Sequence, residues 1–121
     1  MTVKECYEKM GANYDEVFSR LRTDERIEKF LVKVANDGSF ALLCSSLAEH
    51  NMEDAFRAAH TLKGVCMNLS LTTLMHSAET ITEALRGRSE YGADLEPLLA
   101  SVKENYEMTV ACIRELESGA V

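Results

Sequence analysis

The stretch NMEDAFRAAHTLKGVCMNLS, residues 51–70, decides how the chain is read. Apolar residues recur in it with helical period: Ala55, Ala59, Leu62, Cys66 and Leu69 make one seam, with Ala58 and Val65 beside it. Asn51 suits an N-cap, with Asp54 at the N3 position. The spacing predicts one amphipathic helix from Met52 to about Leu69. At about 100° per residue, the seam centres near Leu62, and His60 falls on nearly the opposite side, toward solvent. The outward face then holds Glu53, Phe56, Arg57, Lys63, Gly64 and Met67 around that histidine. A histidine in an apolar helix is usually a core or edge residue. This one faces the wrong way for that.

The same period runs outward in both directions. Thr2 with Glu5 reads as a capping box for a short helix ending near Gly11. Asn13 with Glu16 opens a second short segment carrying Val17 and Leu21. From about Asp24, Ile27, Phe30, Leu31 and Val34 describe one apolar face, which Asp37-Gly38 closes. Phe40, Leu43, Cys44 and Leu47 continue the pattern as far as residues 49–51. Beyond residue 70, Leu71, Leu74, Ala78, Ile81 and Leu85 form a seam ending near Gly87. After a polar loop, Asp94 is placed to cap a last helix, and Pro97 is tolerated in its first turn. Leu95, Leu99, Val102, Tyr106, Val110 and Ile113 make its stripe. There is no strand alternation and no repeat. The fold expected is an all-α antiparallel four-helix bundle, about 24–117, preceded by accessory helices over about 2–22. The whole chain, 1–121, is expected to be one domain.

Composition agrees with this and narrows function. Hydrophobic residues make up 46% and charged residues 27%, with one proline and no tryptophan. The formal net charge is −7 without a Lys/Arg run, which argues against nucleic acid or an anionic membrane as partner. No apolar stretch reaches the about 20 residues needed to span a bilayer, and the start has no secretory signature. A cytoplasmic location is expected. Cys6, Cys44, Cys66 and Cys112 show no CxxC spacing and sit inside the apolar patterns, as small hydrophobes do; a metal site or redox pair is the alternative.

The residues around His60 fit one chemistry. Neutral imidazole is a good nucleophile near pH 7, with an unperturbed pKa of about 6.5. A phosphoryl group on it would be dianionic and would need positive charge nearby. Lys63 at i+3 can supply an ammonium. Gly64 at i+4 opens the approach to the ring, although glycine in mid-helix costs about 1 kcal/mol relative to alanine. The other reading of Gly64 is close helix packing. Phe56 and Met67, projected outward beside Arg57 and Glu53, make a candidate docking patch. His76 also points outward, but Glu79 and Glu83 follow it at i+3 and i+7, and it reads as a solvated face. His50 sits at a junction and is expected to be exposed and inert.

The run Ala59-His60-Thr61-Leu62-Lys63-Gly64, followed by Asn68-Leu69, resembles the signature of histidine-containing phosphotransfer (HPt) domains. The resemblance in helix order covers roughly residues 16–116. It implies a four-helix bundle with accessory N-terminal helices, and His60 as the phospho-accepting residue. It further implies that Lys63 neutralises the phosphoryl charge, that Gly64 gives a receiver domain room, and that Asn68 braces the end of the site helix. The partners implied are response-regulator receiver domains and hybrid histidine kinases. No cofactor is expected on this chain, and Mg²⁺ is expected on the receiver. Kinase or phosphatase activity of its own is not expected, and neither is oligomerisation. Ser70 departs from the family pattern, which commonly has glycine there. Glycine would suit a left-handed turn, whereas serine suits an N-cap for the next helix. Two rivals are a bundle that only binds proteins and a metal protein using His50, His60 and His76. The spacing offers the second no H-x-x-x-H pair.

Overall fold

Local signals set the ends of the helices. In the computed structural model, which describes residues 1–119, the chain folds into α1 (Val3–Met10), α2 (Tyr14–Leu21), α3 (Asp24–Ala35), α4 (Ser39–Ala48), α5 (Met52–Asn68), α6 (Thr72–Leu85) and α7 (Leu95–Glu117). No strand occurs among the described residues. The Thr2–Glu5 capping box forms in both directions. Asn13 and Asn51 accept from the backbone N–H of Glu16 and Asp54, at 3.0 and 3.1 Å. Gly11 ends α1 in the left-handed region at φ 64°. Asp94 precedes α7 but does not cap it, because Arg88 takes both carboxylate oxygens, at 2.9 and 2.6 Å.

The apolar seams meet in one core. Helices α5 and α6 pack along each other, α4 lies against α5, and the long α7 closes the bundle against α6 and α3. Ile27, Leu31, Leu43, Leu62, Ile81 and Ile113 are fully enclosed. Residues 24–48 run as a nearly continuous helical pair, interrupted at 36–38. By length and apolarity this 25-residue span could cross a membrane, which corrects the expectation that no stretch would qualify. Its apolar side chains Leu31, Val34, Leu43 and Leu47 are instead buried in the bundle. Phe30 was expected on that buried face. It stands at the edge, 39% exposed, with the Lys33 ammonium 5.0 Å from its ring centre.

The two N-terminal helices have a specific structural task. The end of any α-helix leaves carbonyls without intrahelical donors, and at the end of α5 these are claimed from α1 and α2. The buried Tyr7 hydroxyl donates to the Leu69 carbonyl at 2.8 Å. The Arg20 guanidinium donates to the carbonyls of Met67 and Asn68, at 3.2 and 2.8 Å. A cation at a helix C-terminus also opposes the helix dipole favourably.

Ser70 is where the sequence reading needs correcting. It does not cap α6: that position falls to Leu71, which has no side-chain capping bond. Ser70 adopts the left-handed conformation itself, at φ 56°. The Leu71 N–H reaches the Cys66 carbonyl and the Ser70 N–H that of Met67, the paired bonds of a Schellman closure. The strain of a non-glycine residue there is offset by its hydroxyl. Buried at 5% exposure, it accepts from Arg20 at 2.6 Å and donates to Glu16 at 2.7 Å.

This network gives a pH signature. The bond from Ser70, and after it Arg20, holds the Glu16 carboxyl below its ordinary 4.5. Between the folded value and 4.5 the unfolded chain binds more protons, so stability rises with pH there. The contribution is complete above 4.5 and is lost as pH falls through the folded value. Ser70→Ala is expected to lower the urea midpoint at pH 7 and to flatten the rise of stability below pH 4.5. Urea titrations at several acidic pH values check both.

Candidate functional site

Helix α5 carries the site because its inner side is made of small residues. Ala55, Ala58 and Ala59 let α4 and α6 come close, and Leu62 and Cys66 complete the buried side. His60 lies on the other side and is exposed. Its ring stacks on that of Phe56, one turn earlier, with centres 5.9 Å apart and planes 22° from parallel. Phe56 is half-buried, so it is less outward than its place in the helical pattern implied. Met67 is fully on the surface, 54% exposed.

Lys63 is half-buried beside His60 and makes no hydrogen bond or ion pair among the described residues. Arg57, by contrast, is engaged on its own helix by Glu53 and by Asp54, the latter at 3.8 Å. Lys63 is therefore the α5 cation available to an anion at His60. At Gly64 a methyl group would meet nothing within 4 Å, and the backbone is ordinary helix. Close packing inside the chain does not explain the glycine. The open space is on the outside.

Asn68 is exposed, and its side chain has no hydrogen-bond partner among the described residues. The end of the helix is braced by the Asn68 carbonyl and Arg20 instead, which corrects the role expected for its amide. His76 is exposed, as expected. His50 is exposed too, held at φ 58° and stacked on Tyr91 with centres 4.2 Å apart. The three histidines are not brought together, and no cluster of His, Cys, Asp and Glu able to hold a metal occurs among the described residues. All four cysteines are free thiols. Burial pushes Cys6 and Cys66 up to about 12, which leaves them protonated and unreactive at neutral pH.

Three features were not visible along the sequence. Arg86, just past the end of α6, lies with its guanidinium carbon 5.2 Å from the centre of the Phe56 ring. Glu83, one turn before it, pairs with Arg86 and also senses Lys63 and His60. The acid that set His76 apart in the sequence thus stands near His60 as well. Beyond Gly64, a groove of about 470 Å³ opens between α2, α3 and the end of α5, its floor of Leu21, Phe30, Val34, Val65 and Leu69 joined by the polar Arg20, Lys33, Asp37 and Asn68. Each depends on helices coming together, which no local pattern reports.

A family model described as Hpt domain matches residues 25–116, which spans α3 to nearly the end of α7 and includes all of the site. No curated protein and no solved structure matches the chain.

Proposed function

Because the chain belongs to the Hpt domain family, whose members are phosphocarriers of two-component signalling rather than enzymes, we propose that it carries its phosphoryl group on His60. The observation that carries this reading is the placement of three neighbours on one exposed face. His60 is open to solvent, Lys63 one turn on has no hydrogen bond or ion pair among the described residues, and the missing side chain at Gly64 faces empty space. The phosphoryl group comes from, and returns to, the aspartate of a receiver domain, itself loaded by a hybrid histidine kinase.

In the forward step an unprotonated imidazole nitrogen of His60 gives its lone pair to phosphorus. The N–P bond forms in line as the P–O bond to the receiver's aspartate breaks, and the carboxylate leaves with that electron pair. The proton stays on the other ring nitrogen, so the product ring is positive until solvent takes it. Catalysis here is positioning and charge neutralisation. Lys63 offsets the dianion, and the receiver brings Mg²⁺ and the acidic pocket. This chain supplies no acidic metal cluster among its described residues. Reversal of the step returns the group, since no bond energy is lost to water.

The landing surface is Phe56, Met67 and the Glu53–Arg57 pair around His60. The groove beyond Gly64, apolar with charged residues among its lining, extends it toward α3. An acidic chain of net charge −7 acting with soluble receivers fits a monomer in the cytoplasm, without nucleic acid or membrane as partner.

The test is incubation with a phosphorylated receiver domain in Mg²⁺. The chain should acquire phosphate that is labile in acid and stable in base, as a phosphoramidate is, and EDTA should block the transfer by stripping the receiver. A base-labile label, or none, would sink this reading.

A further inference from the structure

The phosphocarrier chemistry leaves two charged side chains without a role, Glu83 in the last turn of α6 and Arg86 just past its end. Arg86 and Glu83 form a bidentate pair, Nε to Oε2 at 3.1 Å and Nη2 to Oε1 at 3.0 Å. Arg86 also lies over one neighbour of His60: its guanidinium carbon is 5.2 Å from the centre of the Phe56 ring, which stacks on the imidazole at 5.9 Å. Glu83 belongs to the same space. Its carboxyl is held below the ordinary value first by its hydrogen bonds from Arg86, then by the charges of Arg86, Lys63 and His60.

Phosphorylation changes the competition for Arg86. A phosphoryl group adds a charge of about −2 at neutral pH and three acceptor oxygens. A guanidinium forks onto phosphate oxygens as well as onto a carboxylate. The Glu83–Arg86 pair is exposed, with 54% of each side chain accessible, and exposed pairs are weakly held. A dianion beside Lys63 outbids a single carboxylate for the guanidinium.

Resting on the phosphocarrier reading, we propose that Glu83 and Arg86 are an exchange pair for the phosphoryl group. Arg86 leaves Glu83 for the phosphoryl oxygens when His60 is phosphorylated, and Glu83 reclaims it when the group passes on. No covalent bond changes in the exchange. Arg86 lengthens the life of the phosphorylated state by neutralising the dianion. Glu83 is a positioning residue that acts through Arg86, and its claim on the guanidinium keeps the group from being held too firmly to transfer.

The test needs no identified partner. Potassium phosphoramidate phosphorylates imidazole directly: its P–N bond breaks, ammonia leaves, and the new N–P bond forms on the ring. Loss of phosphate from His60 is then followed by ³¹P NMR at fixed pH. Glu83→Gln should lengthen the lifetime about threefold and Arg86→Gln should shorten it about threefold. Arg86→Lys should restore part of the loss. In the Arg86→Gln background, Glu83→Gln should add nothing. The Arg86 Nε–H resonance should move on phosphorylation of the wild type, a response that a purely structural role would not give. Unchanged lifetimes overturn the exchange. So does an equal gain from Glu83→Gln in both backgrounds, which would mean that the acid acts on the phosphoryl group directly. A chain labelled on another histidine and never on His60 removes the phosphocarrier reading, and the exchange with it; that outcome is distinguishable because no His60 lifetime exists to compare.

Discussion

His60→Gln is expected to take no acid-labile phosphate from a phosphorylated receiver domain, while its stability stays within about 0.5 kcal/mol of the wild type. The first part follows from chemistry: an amide nitrogen has no lone pair free to attack phosphorus, so nothing on this face replaces the imidazole. The second follows from exposure, because the His60 ring leans on Phe56 and fills no part of the core. His50→Gln and His76→Gln are the matched controls. Both rings are exposed, yet His50 stacks on Tyr91 at the far junction of α4, and His76 has Glu79 and Glu83 on its own helix. Both variants should accept label as the wild type does. Residual label in His60→Gln, read by autoradiography after acid and base treatment, would move the site elsewhere.

Gly64→Leu is expected to have effects of opposite sign on folding and on transfer. Alanine is about 0.8–1 kcal/mol more favourable than glycine inside a helix, and leucine somewhat less so; the new Cβ meets nothing within 4 Å. The unfolding free energy should therefore rise, by somewhat less than about 1 kcal/mol, and the midpoint with it. Transfer should slow by about 100-fold, because displacing the receiver by about 1 Å breaks the in-line geometry on which the step depends. Gly64→Ala should gain similar stability and lose less rate. Calorimetry beside quench-flow transfer kinetics reads both quantities. A rate that is unchanged in Gly64→Leu would show that the open space is not where the receiver approaches.

How much of this was legible in the sequence depends on how local the cause is. The caps at Thr2, Asn13 and Asn51 act within four residues, and the structure shows each where its side chain allowed. The direction of His60 follows from the period of a single helix, so it could be read before any packing was known. The failures share one character: another part of the chain competes for the same group. Asp94 is a capable N-cap, but Arg88 binds its carboxylate. Ser70 could have capped α6, but Arg20 and Glu16 draw its hydroxyl into the closure of α5. The amide of Asn68 was given a bracing role that Arg20 performs through the backbone. Phe30 has the right period for the core, yet α3 is turned so that the ring edges the groove. Arg86 comes over the Phe56 ring, with Glu83 paired to it, only because α6 packs along α5, a contact that no spacing along the sequence announces.

The central claim is that the phosphoryl group sits on nitrogen, on His60 and on no other residue. The most direct measurement is a ³¹P–¹H correlation spectrum of the chain after reaction with a phosphorylated receiver, with the imidazole protons assigned. One phosphoramidate resonance coupled to the His60 ring, absent from His60→Gln, is the predicted result. Coupling to the ring of His50 or His76, or a resonance belonging to an oxygen-bound phosphate, would contradict it.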